Sequence, residues 1–139
     1  MEQKDQIQKL IDRFYKIISG KAGENRNWDE FRTLFHSNAQ LVPMRYSESK
    51  DCTAVAYDVN SYIAMLRGFL ENNDFYEFGF DYQIEIHGNI AQVTGRYEAR
   101  KSIDDKSPIK SGTNLVQVLF NGGSWQIISM LWQDDPFFP

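Results

Sequence analysis

Four stretches of alternating apolar and polar residues near the carboxyl end of the chain constrain its fold more than any other feature. They cover residues 75–87, 90–101, 111–120 and 125–133. Alternation with a period of two predicts strands that bury one face. In the first of them Phe78 is expected in the core and Glu77 in solvent. Two of the three connections are short and contain Gly and Asn, which favour hairpin turns. We therefore expect a four-stranded antiparallel meander within one domain that spans residues 1–139.

The first half of the chain has the periodicity of helices. Apolar residues recur at steps of three and four near the amino terminus, around Trp28, and between residues 62 and 70. Such spacing is typical of amphipathic helices. Asn27 and Asp58 stand where helix N-caps are expected. Between the second and third helices we expect a turn at residues 36–38 and a small edge strand at residues 53–57. The prediction is an α+β fold with a cone shape, in which three helices pack on a curved, mainly antiparallel sheet.

Composition excludes several classes of function. The chain has 19 acidic and 15 basic residues, and its net charge of −4 without a basic stripe argues against nucleic-acid binding. Cys52 is the single cysteine, so neither an internal disulfide nor a cysteine zinc site is expected. The two histidines lack a third ligand at useful spacing, and we expect no metal and no cofactor. No apolar run reaches membrane-spanning length, so the expected location is cytoplasmic, without membrane contact.

In the last two strands both faces carry large apolar side chains. If helices cover only one face, the other exposes Leu115, Leu119, Trp125, Ile127 and Leu131 together. An apolar patch of this size usually marks a partner, and isologous dimers are the commonest oligomers. We expect a homodimer packed through these residues. The alternative is that the tail, residues 136–139, folds back over the patch.

The order of these elements resembles the nuclear-transport-factor-two-like superfamily, which includes the SnoaL-like cyclases and the ketosteroid isomerases. The resemblance is carried by Trp28-Asp29-Glu30-Phe31, by Leu34-Phe35-His36-Ser37-Asn38-Ala39 and by Trp125-Gln126-Ile127-Ile128-Ser129. It covers nearly the whole chain and implies a cavity between the helices and the concave face of the sheet. By position, the cavity wall would contain Val93, Gly95, Tyr97, Asn114, Val116, Val118, Ile128, Met130 and Trp132.

The catalytic residues of the steroid isomerases do not carry over. The place of their general-base aspartate holds Pro43. Their oxyanion-hole tyrosine falls near Phe14, with Tyr15 one step away and expected to point elsewhere. Their second acid falls at or near Val116. A steroid-isomerase mechanism needs all three groups, so we do not expect it here.

The remaining candidates for acid–base chemistry are His36, Tyr97 and Asp134. His36 stands near a helix end, Tyr97 faces the expected cavity, and Asp134 follows the last strand. Arg45 is expected to be a solvated residue of an edge strand, and the alternative is that it reaches over the cavity mouth toward an anionic ligand. Three hypotheses stay open. The chain binds a small hydrophobic molecule without turnover, acts as a SnoaL-like isomerase, cyclase or dehydratase with another acid–base group, or is a protein-interaction module.

Overall fold

The structure, a computed structural model, describes residues 2–47, 49 and 51–135. The helices are α1 (Gln3–Ile18), α2 (Trp28–Thr33) and α3 (Val59–Asn72). The strands are β1 (Phe35–Tyr46), β2 (Cys52–Ala54), β3 (Tyr76–His87), β4 (Ile90–Arg100), β5 (Lys110–Asn121) and β6 (Ser124–Asp134). Residues 136–139, the tail that in the alternative to the homodimer covers the apolar patch, lie outside the described residues.

Helices α2 and α3 begin at the N-caps that the sequence predicts. The side-chain oxygen of Asn27 accepts a hydrogen bond of 3.0 Å from the backbone N–H of Glu30 and caps α2. Asp58 caps α3 in the same way, through a bond of 2.7 Å from the N–H of Ser61. Within the described residues, no helix combines the length and the apolar character that crossing a bilayer requires.

The six strands form one sheet in the order β2-β1-β6-β5-β4-β3. Neighbours are antiparallel except β1 and β6, which run parallel. The α+β prediction is confirmed, with two differences at the sheet edge. Residues 36–38, expected in a turn, belong to β1, where the pairing with β6 is irregular before Gln40. The small edge strand covers Cys52–Ala54 instead of residues 53–57.

A β-bulge at Asp81 reverses the two faces of β3. Phe80 pairs with Arg96 and Gln83 with Thr94, so β3 has one residue more than β4 between these pairs. Asp81 takes a positive φ of 54°, a conformation that aspartate tolerates better than most residues. The regular alternation predicted for this strand is therefore wrong before the bulge. Phe78, expected in the core, is 45% exposed.

A second bulge, at Ile128, reverses the faces of β6. Gln117 of β5 pairs with Ser129, whereas the next residue, Val118, pairs with Ile127. Ile128 is left without a pair. Because of this extra residue, Trp125 and Ile127 turn into the core on the same side as Met130. The sequence predicted the opposite side for both.

The glycine that the β3 bulge turns inward allows a sharp packing test. A Cβ on Gly79 would overlap the ring of Tyr15 and the hydroxyl of Tyr82, whereas a Cβ on Gly68 of α3 meets nothing within 4 Å. We expect Gly79→Ala to lower the free energy of unfolding by about 1–3 kcal/mol through overpacking. Gly68→Ala should raise it by about 0.5–1 kcal/mol through helix propensity. Urea denaturation measures both, and a stable Gly79→Ala protein would contradict this close packing.

Candidate functional site

A cavity of about 360 Å³ lies between the concave face of the sheet and helices α1 and α3. Seven aromatic side chains line it: Phe14, Tyr15, Tyr62, Phe69, Phe75, Tyr97 and Trp132. Trp132 and Tyr62 meet edge to face, with ring centroids 5.6 Å apart, and Phe69 and Phe75 do the same at 5.5 Å. The volume and the flat apolar walls suit a small ring-containing molecule.

Among the described residues, Glu77 is the one that brings a carboxyl group into the wall of this cavity. The bulge at Asp81 places it there, because without the bulge Glu77 would face solvent. Burial disfavours the charged form and raises the pKa of Glu77 from its ordinary 4.5 to about 7. The nearby charge of Asp134 raises this pKa further, and the ammonium of Lys110 lowers it. A carboxyl with this pKa exchanges protons near neutral pH.

The backbone of Glu77 is tied to the end of α1. Ser19 donates its hydroxyl proton to the carbonyl of Tyr15 at 2.8 Å. The hydroxyl oxygen of Ser19 in turn accepts a hydrogen bond of 3.0 Å from the backbone N–H of Glu77. Two backbone bonds between Gly20 and Phe75, of 2.8 and 3.0 Å, hold the adjacent residues. These hydrogen bonds from Ser19 and Gly20, at the end of α1, hold the part of β3 that carries the Glu77 carboxyl.

Lys110 is the cation that faces the same part of the cavity. Glu77 pairs with Ala99 and Ala99 with Lys110, so the two charged residues share a row of the sheet with an alanine between them. Two strand spacings separate their backbones by roughly 10 Å. The ammonium of Lys110 lies 3.9 Å from the carboxylate of Asp134. Lys110 therefore acts on Glu77 through its electric field.

Tyr97 and Asp134 form a hydrogen-bonded pair at the edge of the cavity. The hydroxyl of Tyr97 donates to Oδ1 of Asp134 at 2.8 Å. Burial, followed by this bond to a carboxylate, raises the pKa of Tyr97. The next residue, Asp135, faces the other side of the sheet. There it accepts bonds from Arg96 and Ser111, and the bond from Arg96 is the main reason that its pKa falls to about 2.

Tyr15 and Asn114 meet in the cavity wall. The side-chain amide of Asn114 donates a hydrogen bond of 3.1 Å to the hydroxyl oxygen of Tyr15. Asn114 is only 4% exposed, and burial raises the pKa of Tyr15. The expectation that Tyr15 points away from the cavity is wrong. Residues 14 and 15 both line the cavity, because it wraps around the end of α1.

The structure divides the nine residues predicted for the cavity wall into two groups. Four of them line the cavity: Tyr97, Asn114, Met130 and Trp132. Five lie elsewhere: Val93, Gly95, Val116 and Val118 are buried in the packed core, and Ile128 is the bulge residue. Glu77 was missed. The bulge at Asp81 that turns Glu77 inward is hard to recognise in the sequence, because aspartate occurs in regular strands and in bulges alike.

The predicted dimer face is smaller in the structure than in the sequence analysis. Trp125 is 6% exposed and Ile127 is fully buried, so neither is available to a partner. The bulge at Ile128 is the physical reason. Leu115 and Leu131 remain exposed, at 43% and 40%, and Leu119 is partly buried.

Two of the predicted acid–base candidates lie outside the cavity wall. The ring nitrogen Nδ1 of His36 accepts a hydrogen bond of 3.1 Å from the backbone N–H of Asn38, which gives His36 a local structural role. Asp134 does not line the cavity itself but contacts two residues that do, Tyr97 and Lys110. Arg45 is exposed and lines the cavity. In the described part of the chain, no group of three potential metal ligands lies together.

Comparison with known proteins identifies the fold. No family model and no curated protein matches the sequence. A Nostoc punctiforme protein of unknown function with a cystatin-like fold superimposes with a TM-score of 0.74 and 15% identity, over 98% of this chain and 93% of that chain. An NTF2-like protein from Cytophaga hutchinsonii gives 0.70 and 15%, over 97% and 100%. A Mycobacterium tuberculosis protein of unknown function gives 0.77 and 12%, over 98% and 73%.

At this level of identity the likeness concerns the fold alone. The chain has the cystatin-like fold of the NTF2-like proteins, and the predicted resemblance is confirmed at that level. This fold carries many unrelated activities, so an activity has to be argued from the side chains in the cavity.

Proposed function

We propose that the cavity binds a small, ring-containing hydrophobic ketone and that Glu77 moves a proton at the carbon next to the carbonyl. The reaction class is an isomerisation or dehydration that begins with proton removal. The observation that carries the proposal is the carboxyl of Glu77, which lies in an aromatic cavity with a pKa of about 7. A general base works best when its pKa is close to the working pH.

The surroundings of Glu77 support this role. Proton removal leaves negative charge on the ketone oxygen, and the ammonium of Lys110 faces the same cavity. A fixed positive charge in a partly dry site stabilises such charge more than it would in water. The aromatic wall replaces water around the ring of the ligand. His36 and Asp134 are not needed in this scheme.

The test is proton exchange at the α-carbon of a ketone in heavy water. α-Tetralone carries a ring system that is small enough for the cavity, and loss of its α-proton signal is followed by NMR. The proposal expects exchange that depends on the protein and rises with pH up to about 7. A protein that binds ketones but never exchanges their protons would be a binding domain without turnover, which is the alternative function.

We also propose that the chain forms a homodimer through the convex face of the sheet. The exposed side chains of Leu115 and Leu131 are paired neighbours on adjacent strands, with Leu119 nearby. We expect Leu115→Arg to convert a dimer into a monomer, because the new positive charge would be buried at the centre of an apolar contact without a partner charge. Light scattering coupled to size exclusion measures the mass. Ile103→Arg, at an exposed apolar position in the loop between β4 and β5, should leave the dimer intact. A monomeric wild type contradicts the proposal.

A further inference from the structure

One buried polar atom in the cavity wall lacks a hydrogen-bond partner. Asn114 uses its side-chain nitrogen to donate to Tyr15. None of the described residues donates a hydrogen bond to its side-chain oxygen, Oδ1, which is buried. Buried carbonyl oxygens in folded proteins are nearly always paired, and leaving one unpaired destabilises the fold. Because Asn114 lines the cavity, a bound molecule can supply the missing donor.

Tyr15 adds a second hydrogen-bonding group next to this oxygen. Its hydroxyl oxygen accepts the bond from Asn114, so its own proton remains available. The two side chains together therefore offer one donor and one acceptor to a third group. Exchanging the nitrogen and oxygen of the amide does not change this result. Tyr15 would then donate to Asn114, and the pair would offer an amide N–H and the phenolic oxygen.

An alcohol hydroxyl is the simplest group that both donates and accepts. A ketone or ether oxygen only accepts, and it would leave the buried oxygen unpaired. We propose that Tyr15 and Asn114 form a subsite for a ligand hydroxyl group, so that the substrate is a hydroxylated ring compound. This inference rests on the proposed function in one respect, namely that the cavity is the substrate site. It adds a requirement for an alcohol that the acid–base role of Glu77 does not contain.

The subsite is tested by asking which of two ligands, tetralin or α-tetralol, the cavity binds more tightly. A purely apolar cavity favours tetralin over α-tetralol, because the alcohol gives up its hydrogen bonds to water. A cavity with the subsite favours α-tetralol, and we expect its dissociation constant to be about tenfold lower than that of tetralin. The methyl ether of α-tetralol cannot donate and should bind less tightly than the alcohol. NMR titration of backbone amide signals measures all three ligands.

Variants assign the preference to these two residues. In Asn114→Leu the wall becomes apolar, and we expect tetralin to bind more tightly than α-tetralol. Tyr15→Phe removes only a hydroxyl and should weaken the preference even if Asn114→Leu does not fold. Gln117→Leu makes a similar amide-to-leucine change at an exposed position of the same strand and should keep the preference. Equal or tighter binding of tetralin by the wild type, or an unchanged preference in both cavity variants, overturns the inference.

The same titrations separate this inference from the proposed function. Glu77→Gln should keep the preference for α-tetralol although it loses proton exchange. A wild-type protein that prefers the alcohol but exchanges no ketone proton would retain the subsite and refute the acid–base role. A protein that exchanges ketone protons but prefers tetralin would refute the subsite only. A water molecule that satisfies Oδ1 permanently would also abolish the preference and refute the subsite.

Discussion

Replacing Glu77 by glutamine is expected to slow proton exchange at the α-carbon of α-tetralone by about a hundredfold or more. A positioned general base contributes roughly 10²–10⁴ to the rate, and glutamine has nearly the same shape but cannot take up a proton. The binding constant for the ketone should change little, since the aromatic wall is untouched. Exchange rates come from the loss of the α-proton signal in heavy water, and binding comes from titration of the same samples.

The pH dependence gives this prediction a second signature. The active form of Glu77 is the carboxylate, so the wild-type rate should rise with pH and level off above about 7. Glu85→Gln removes a carboxyl from the exposed part of the same strand and should leave both the rate and the profile unchanged. Exchange that survives in Glu77→Gln with the wild-type profile would assign the base to another group.

Elements formed by local pattern were predictable from the sequence, whereas the faces of the two strands that contain bulges were not. The caps at Asn27 and Asp58 and the alternation within β4 follow from side chains that act on their immediate neighbours. A bulge depends on one residue, and every residue beyond it changes sides. Two bulges, at Asp81 and Ile128, account for the wrong side of Phe78 and for the smaller dimer face.

The same reasoning explains how far the candidate site was predictable. Tyr97 and Asn114 lie on strands that are regular up to the cavity, so their alternation identified the concave side correctly. Glu77 comes before the bulge of β3 in the chain. An alternation that ignores the bulge places its side chain in solvent. The hydrogen bond between Asn114 and Tyr15 joins residues that are 99 positions apart in sequence. No local signal connects such a pair.

Glu77→Gln is also expected to stabilise the protein at pH 8, by on the order of 3 kcal/mol. Folding raises the pKa of Glu77 from 4.5 to about 7, and one pKa unit corresponds to about 1.4 kcal/mol. A raised pKa favours folding while the carboxyl is protonated, and this advantage is lost as pH rises from the unfolded to the folded pKa. Glutamine stays neutral throughout. The difference between variant and wild type should therefore be near zero at pH 4, grow between pH 4.5 and 7, and then stay constant.

Urea denaturation at several pH values measures this difference, with unchanged m-values as the sign that both proteins unfold in the same way. Glu71→Gln, at an exposed position of α3, should change the free energy of unfolding by the same small amount at every pH. If the difference in free energy of unfolding between Glu77→Gln and the wild type is also the same at every pH, the carboxyl of Glu77 is fully hydrated. Its pKa is then too low for a general base that works near neutral pH. A difference that grows as pH rises instead shows that the fold keeps this carboxyl in its cavity at a cost in stability, as expected for a group placed for chemistry.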